Sequence, residues 1–295
     1  MTLAASSWHR LRTVLEMIKF EHTLFALPFA ATGMLLAADG FPSIRICFGI
    51  LLAMVGARSA AMAFNRLVDR DIDAANPRTA GRALPAGHLD IVFVKWFVLV
   101  SCLVFVGAAA SLNKLALMLS PIALLVVFGY SYTKRFTAWC HAWLGVALSI
   151  APMGAWVAVR GRLDWEPVWL CAAVVAWLIG FDVIYALQDE EFDRSRGLHS
   201  LPARFGARKA LWISRTAHAA MVLALFGLGV AAHLGTAYAV GLAIVIVTLI
   251  WEHSQVREND LARVNIAFFH ANVLISTVLM LAVGVDIAAA GGATR

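Results

Sequence analysis

An all-α membrane bundle of nine helices is the fold class this sequence predicts. Three observations carry that reading: an apolar composition, nine apolar runs of spanning length, and basic residues sorted into alternate loops. Of 295 residues, 61% are hydrophobic and only 14% are charged, whereas a soluble domain carries roughly a quarter charged. That balance makes lipid the main solvent. Crossing it takes about 20 apolar residues per helix. The runs are far longer than barrel strands, and backbone groups in hydrocarbon must bond internally, so the spans are helical.

In chain order, a basic, amphipathic N-terminal lead-in comes first. It lacks the compact apolar core and small-residue cleavage site of a signal peptide. The spans follow at 20–38, 44–64, 91–111, 115–133, 139–159, 167–187, 210–232, 234–252 and 264–285. A short Ser-Leu-Asn-Lys turn joins the third to the fourth, and His233-Leu-Gly makes the seventh and eighth a tight hairpin. Prolines 28, 121 and 152 fall inside spans, where neighbouring helices can accept the carbonyls they free. No soluble domain or low-complexity segment interrupts the series, which predicts one membrane domain over 1–295.

Lysine and arginine set the orientation. The lead-in and the loops after spans two, four, six and eight hold 18 of the 24 basic residues, and the opposite side holds five. The positive-inside rule then places the N-terminus and those loops in the cytoplasm, as expected of a multi-pass protein of a bacterial inner membrane. The net charge of +6 comes from this sorting. No basic stripe interleaved with aromatics is present, which excludes a nucleic-acid partner. Cys47, Cys102, Cys140 and Cys171 form no CxxC pair and read as small apolar side chains. The ten tryptophans read as interfacial belts. His22, His141, His218, His233 and His270 show no ligand spacing and read as interfacial packing.

The acidic residues are distributed unevenly. Seven of only 18 lie in two five-residue windows, Asp69-Arg-Asp-Ile-Asp73 and Asp189-Glu-Glu-Phe-Asp193, at the cytoplasmic ends of spans two and six. Carboxylates at membrane depth are expensive and suggest a site. Asn65, Asp69 and Asp73 are spaced i, i+4, i+8 and share one helical face, and Asp189 and Asp193 repeat the i, i+4 spacing. Bringing the two faces together offers four carboxylates and an amide oxygen. Such hard ligands suit Mg²⁺, which binds a few carboxylates beside a substrate phosphate. Arg78 and Arg82 follow the first window, and Arg194, Arg196 and Arg204 follow the second, as phosphate ligands would. No GxxxxGK[ST] is present, so a nucleotide P-loop is not the explanation. Both windows run on to Leu-Pro-Ala, at 84–86 and 201–203, which hints at an internal duplication with halves around 65–87 and 185–206.

Three motifs in order then resemble the UbiA superfamily of intramembrane prenyltransferases. They are Asn65-xxx-Asp69-xxx-Asp73 with Pro-Arg-Thr-x-x-Arg82, Tyr130-Ser-Tyr-Thr-Lys134-Arg135, and Tyr185-Ala-Leu-Gln-Asp189-Glu-Glu-Phe-Asp193 with His199-Ser-x-Pro-x-Arg204-Phe-Gly206. The resemblance covers essentially the whole chain and departs at Arg66, where many members carry aspartate, one potential ligand fewer. It is closest to 4-hydroxybenzoate polyprenyltransferases and to futalosine-route menaquinone enzymes, the opening Ile18-Lys-Phe-Glu-His-Thr-Leu-Phe-Ala-Leu-Pro28 leaning toward the latter.

The resemblance implies a polyprenyl diphosphate donor and an aromatic acid acceptor, with Mg²⁺ on Asn65, Asp69, Asp73, Asp189 and Asp193. Tyr130 and Lys134 would add a hydroxyl and a cation to the diphosphate, and Arg78, Arg82 and Arg204 further cations. Arg135 occupies a position associated with the acceptor carboxylate. Arg58, inside span two, stands either against that carboxylate or against the nearby acids. Asp182 is either a structural partner or a catalytic one. A relative with another acceptor, and a cation-coupled transporter, are the alternatives. A transporter should carry its acids near the midplane of several helices.

Overall fold

The computed structural model describes residues 11–19, 23–256 and 264–293. Arg10, Phe20, Glu21, His22, Arg257, Arg263 and Arg295 lie outside them. Among the described residues the chain is helical, with no strand. Residues 11–17 form a helical lead-in. The long helices are α1 (Thr23–Ala38), α2 (Ile44–Val68), α4 (Ile91–Leu112), α5 (Lys114–Thr133), α6 (Cys140–Arg160), α7 (Glu166–Ala186), α10 (Ala207–Ala231), α11 (Thr236–Ser254) and α12 (Val264–Ala293). Three short helices lie at one end of the bundle: α3 (Arg70–Ala75), α8 (Glu190–Ser195) and α9 (Leu201–Phe205).

Each of the nine expected spans coincides with one long helix. Among the described residues eight are long and apolar enough to cross a membrane, while α1, described over 16 residues, is shorter. At 1.5 Å per residue α1 reaches about 24 Å, against a hydrocarbon core of about 30 Å. Several helices outrun the expected boundaries. α2 continues to Val68 rather than 64, and α10 begins at Ala207 rather than 210. Hydropathy marks where lipid ends, but the backbone keeps its ladder through Arg66 and Arg208 because those side chains still favour a helix.

Helix pairs close where small residues allow it. α2 packs along α4, where Gly56 faces the backbone of Phe105, and a Cβ there would lie 2.8 Å from the Phe105 nitrogen. α1 packs along α6, with Gly33 against the carbonyl of Pro152. Packing through small residues is the usual means of association in lipid, where apolar surface alone gives no preference for helix over acyl chain. α7 is the central helix. It packs against α6, α10 and α12, and Leu170, Ala173, Val174, Trp177 and Leu178 are buried along it. Phe48, Leu103, Leu125, Leu223 and Val247 point outward on other helices, as lipid-facing residues should.

Trp96, Trp139, Trp165 and Trp212 are exposed, whereas Trp156 and Trp177 are buried, Trp177 donating to Asn272 Oδ1 at 2.7 Å. Only Cys140 is fully buried, and the other three cysteines are half-buried thiols. The histidine expectation is corrected at two positions. His141 and His218 are interior residues, held by Asp182 and by His253 respectively. The Nδ1 atom of each finds its partner on a facing helix, while His218 Nε2 is buried without a hydrogen bond.

At the end of the bundle away from the short helices, Asp286 of α12 caps α11 from outside. Its carboxylate accepts from the backbone N–H groups of Gly235, Ala237 and Tyr238 at 2.8, 3.1 and 2.9 Å. These are orphan donors of the first helical turn. Asp286→Ala is expected to cost about 1–2 kcal/mol of stability, the scale of a lost cap, read as a lower unfolding temperature in detergent with activity retained.

Candidate active site

Both acidic windows sit where a long helix breaks. α2 ends at Val68, and Asp69 takes φ −95°, ψ 9° before α3 starts. α7 ends at Ala186, and a 3₁₀ turn over Leu187–Asp189 leads into α8. The expected unbroken helical face over Asn65, Asp69 and Asp73 is therefore corrected to two helices meeting at Asp69. The i, i+4 relation survives because the Asp69 and Asp73 amides still donate to the Asn65 and Asp69 carbonyls, at 2.9 and 2.7 Å. The break re-aims the chain so that residues 76–89 fold back over the site. Asn76 starts that return: its Oδ1 accepts from the Arg78 amide at 2.9 Å, the Asx turn that Asn-Pro favours.

Each of the four aspartates is paired with a base. Arg78 donates Nε to Asp189 Oδ1 at 2.9 Å and Nη2 to Oδ2. Arg82 reaches Asp73 at 2.7 Å, Lys134 reaches Asp193 at 2.9 Å, and Arg135 reaches Asp69 at 2.9 Å. The Arg78–Asp189 bridge ties the first window's return loop to the second window, a separation of 111 residues. The two motifs thus share one site. Among the described residues no three acidic, histidine or cysteine side chains meet as a ready cage. The nearest guanidinium and ammonium groups neutralise the four carboxylates of this partly buried site.

The residues present still fit a divalent cation. Asp73 Oδ2 and Asp193 Oδ2 are buried without a hydrogen bond, faced by Arg66 at 3.7 Å and by Lys134 at 2.9 Å, and Asp193 is 1% exposed. Buried carboxylate oxygens left unbonded cost stability unless something cationic meets them. Burial pushes the Asp69 carboxyl above its ordinary value, with Arg135 and Asn65 pulling the other way. Lys134 shows the reverse balance. Burial works against its charge, but Asp193 and Asp189 outweigh that and hold its pKa above the usual lysine value.

Arg66 stands where a further carboxylate was discounted, and it is a buried cation rather than a mere gap. Its Nη1 lies 3.7 Å from Asp73 Oδ2, and its Nε donates to the Met17 carbonyl at 3.3 Å. With Arg78, Arg82, Arg12, Lys19 and Tyr185 it lines a cavity of about 590 Å³ at this end of the bundle. A cavity walled by so many cations is suited to a polyanion.

The remaining expected residues fall into place unevenly. Asn65 donates to Asp69 at 2.8 Å and to the Ser131 hydroxyl at 3.4 Å. Tyr130 is half-buried near the end of α5, four residues before Lys134. Arg135 is tied to the Ser131 and Val68 carbonyls as well as Asp69, so it braces α5 against α2. Arg58 donates to the Lys19 carbonyl at 3.1 Å, and its buried Nε has no partner. Arg204 is exposed on α9, its guanidinium over Phe205, and makes no ion pair with the four aspartates.

Two members of the site had no assigned role in the sequence reading. Asn76 is buried and donates to Asp189 at 3.1 Å, and Tyr185 accepts from Arg78 at 3.0 Å beneath its guanidinium. The signal for Tyr185 was its i, i+4 spacing to Asp189.

A family model described as the UbiA prenyltransferase family matches residues 26–273. A 4-hydroxybenzoate octaprenyltransferase of Nitrosospira multiformis is 30% identical over 246 residues, covering 83% of this chain and 84% of its own. The mitochondrial 4-hydroxybenzoate polyprenyltransferase of Arabidopsis thaliana is 34% identical over 228 residues, 74% of this chain and 54% of its own length. Among solved structures, the apo form of a UbiA homologue from Aeropyrum pernix K1 superposes with a TM-score of 0.79 at 32% identity, covering 92% of this chain and 98% of that one. A homologue from Archaeoglobus fulgidus bound to DMAPP and Mg²⁺ shares the fold, with a TM-score of 0.72 at 18% identity over 94% of this chain and 99% of that one.

Proposed function

Because this chain belongs to the UbiA prenyltransferase family, we propose that it transfers a polyprenyl chain from its diphosphate to 4-hydroxybenzoate in quinone biosynthesis. The observation that carries the reading is the Arg78–Asp189 bridge, which joins both acidic motifs beside a cation-lined cavity. The relatives named for 4-hydroxybenzoate support that acceptor.

Asn65, Asp69, Asp73, Asp189 and Asp193 are the residues that would hold Mg²⁺, whose positive charge would stabilise the leaving diphosphate. The chain's own bases do the rest. Arg78, Arg82 and Lys134 exchange their carboxylate partners for phosphate oxygens as substrate enters, and Tyr130 adds a hydroxyl donor. Arg135 keeps α5 and α2 in register for that exchange. Arg58, deeper on α2 with a free Nε, takes the acceptor carboxylate. Arg204 meets the phosphates only if α9 moves inward. The bundle keeps water from the allylic cation, which water would quench to an alcohol. The acidic motifs face the cytoplasm, with the N-terminus on the same side and the chain forming one domain.

The test is product formation by purified protein given Mg²⁺, a polyprenyl diphosphate and either 4-hydroxybenzoate or a futalosine-type acceptor, read by mass spectrometry. Prenylated 4-hydroxybenzoate, lost on chelation, is expected. Product from the futalosine-type acceptor alone would move the protein to the menaquinone branch.

A further inference from the structure

α10 and α11 form a hairpin that is closed at one end only. Near the turn that joins them, the Tyr238 hydroxyl donates to the Leu225 carbonyl at 2.7 Å. The Tyr238 ring lies against Gly229, where a Cβ would come within 2.8 Å of it. Toward the other end each helix follows a different neighbour, α10 packing along α7 and α11 along α12. A cavity of about 320 Å³ opens between them there, at the small end of ligand pockets. Its depth is walled by Val222, Ile246 and Ile250, and its rim by Arg215, His218 and His253. It shares no residue with the cation-lined cavity beside the aspartates.

The rim leaves polar groups without partners. Arg215, two turns into α10, is exposed with its guanidinium over Trp212 at 5.2 Å, and it makes no ion pair among the described residues. His218 is buried and wedged against Gly180 of α7, and its Nδ1 lies 2.9 Å from His253 Nε2. That contact occupies His253 Nε2 and leaves its Nδ1, buried without a hydrogen bond, to meet a molecule in the groove. Glu252, the neighbouring acid, is 1% exposed and lines no part of the groove. Trp212 and Trp251 are exposed on either side, as residues at a bilayer interface are.

Apolar depth, a tryptophan level and a cationic rim follow the order of acyl chain, interface and phosphate in a phospholipid. Basic pockets between helices on the cytoplasmic side are a recurring setting for anionic head groups. A zwitterionic head group would bring its own cation up to Arg215, and a free anion would gain nothing from the apolar depth. We propose that this groove holds one anionic phospholipid, its phosphate on Arg215 and His253 and one acyl chain along Val222, Ile246 and Ile250. The lipid bridges α10 and α11 at the end the hairpin leaves open.

The experiment is native mass spectrometry of the purified, delipidated protein. It is titrated with phosphatidylglycerol, with phosphatidylcholine, and with phosphatidylglycerol beside excess inorganic phosphate at matched ionic strength. Wild type should take up one phosphatidylglycerol severalfold more tightly than further copies and than phosphatidylcholine, and inorganic phosphate should not displace it. Arg215→Gln should weaken that first binding by about fivefold or more, the worth of one basic residue at an anionic lipid. Ile250→Trp, which fills the groove and keeps every charge, should weaken it as much. Both replaced side chains are exposed, so the fold should survive each change. If Ile250→Trp does not fold, Ala219→Phe fills the same groove. Equal affinity for the two lipids, or displacement by phosphate, overturns the proposal. Unchanged binding in either variant also overturns it, and loss in Arg215→Gln alone would mark attraction to the lipid annulus.

Discussion

Asp189→Ala is expected to lower turnover by about 10³-fold or more while leaving the protein folded, and Asp69→Ala should do the same. A metal neutralising a diphosphate leaving group contributes several kcal/mol to the transition state, and each 1.36 kcal/mol is tenfold in rate. Asp189 also accepts two of the Arg78 hydrogen bonds, so its loss removes a ligand and loosens a phosphate-binding cation. Stability should change little, because Arg78 keeps its bond to Tyr185 and is 32% exposed. Steady-state kinetics beside thermal unfolding separates the two effects. Near-normal turnover in either variant would remove the two-motif site.

Lys134→Met is expected to damage both activity and stability. The buried Asp193 carboxylate would lose its ion-pair partner. Breaking a fully buried pair costs about 3–5 kcal/mol, and access of water to Lys134, 35% exposed, brings this to about 2 kcal/mol. Turnover should fall by about 10²-fold, the scale of one lost electrostatic donor to a developing anion. Adding Asp193→Asn to Lys134→Met should restore much of the stability, because the unpaired charge is gone, and none of the activity. A double variant no more stable than Lys134→Met would show that Asp193 is not the source of the cost.

The contrast between these two cases shows what was legible in the sequence. Apolar run length placed all nine long helices, because the hydrocarbon core sets a length that composition reveals directly. The i, i+4 spacings hold at the backbone through Asn65, Asp69 and Asp73. They could not reveal the breaks at Asp69 and after Ala186, since periodicity is the same through a kink that keeps its hydrogen bonds. The sequence also did not show which base meets which acid. Arg78 follows the first motif yet pairs with the second, a choice set by how residues 76–89 fold back. His141 was equally opaque: its partner is 41 residues away, on the facing helix.

The most direct test of the shared site is anomalous diffraction from crystals grown with Mn²⁺ and an unreactive thio-diphosphate analogue of the prenyl donor. The account predicts manganese bound between the Asp69–Asp73 and Asp189–Asp193 pairs, with Arg78 and Lys134 turned from their aspartates onto phosphate oxygens. Manganese bound away from these residues, with all four ion pairs intact, would contradict it.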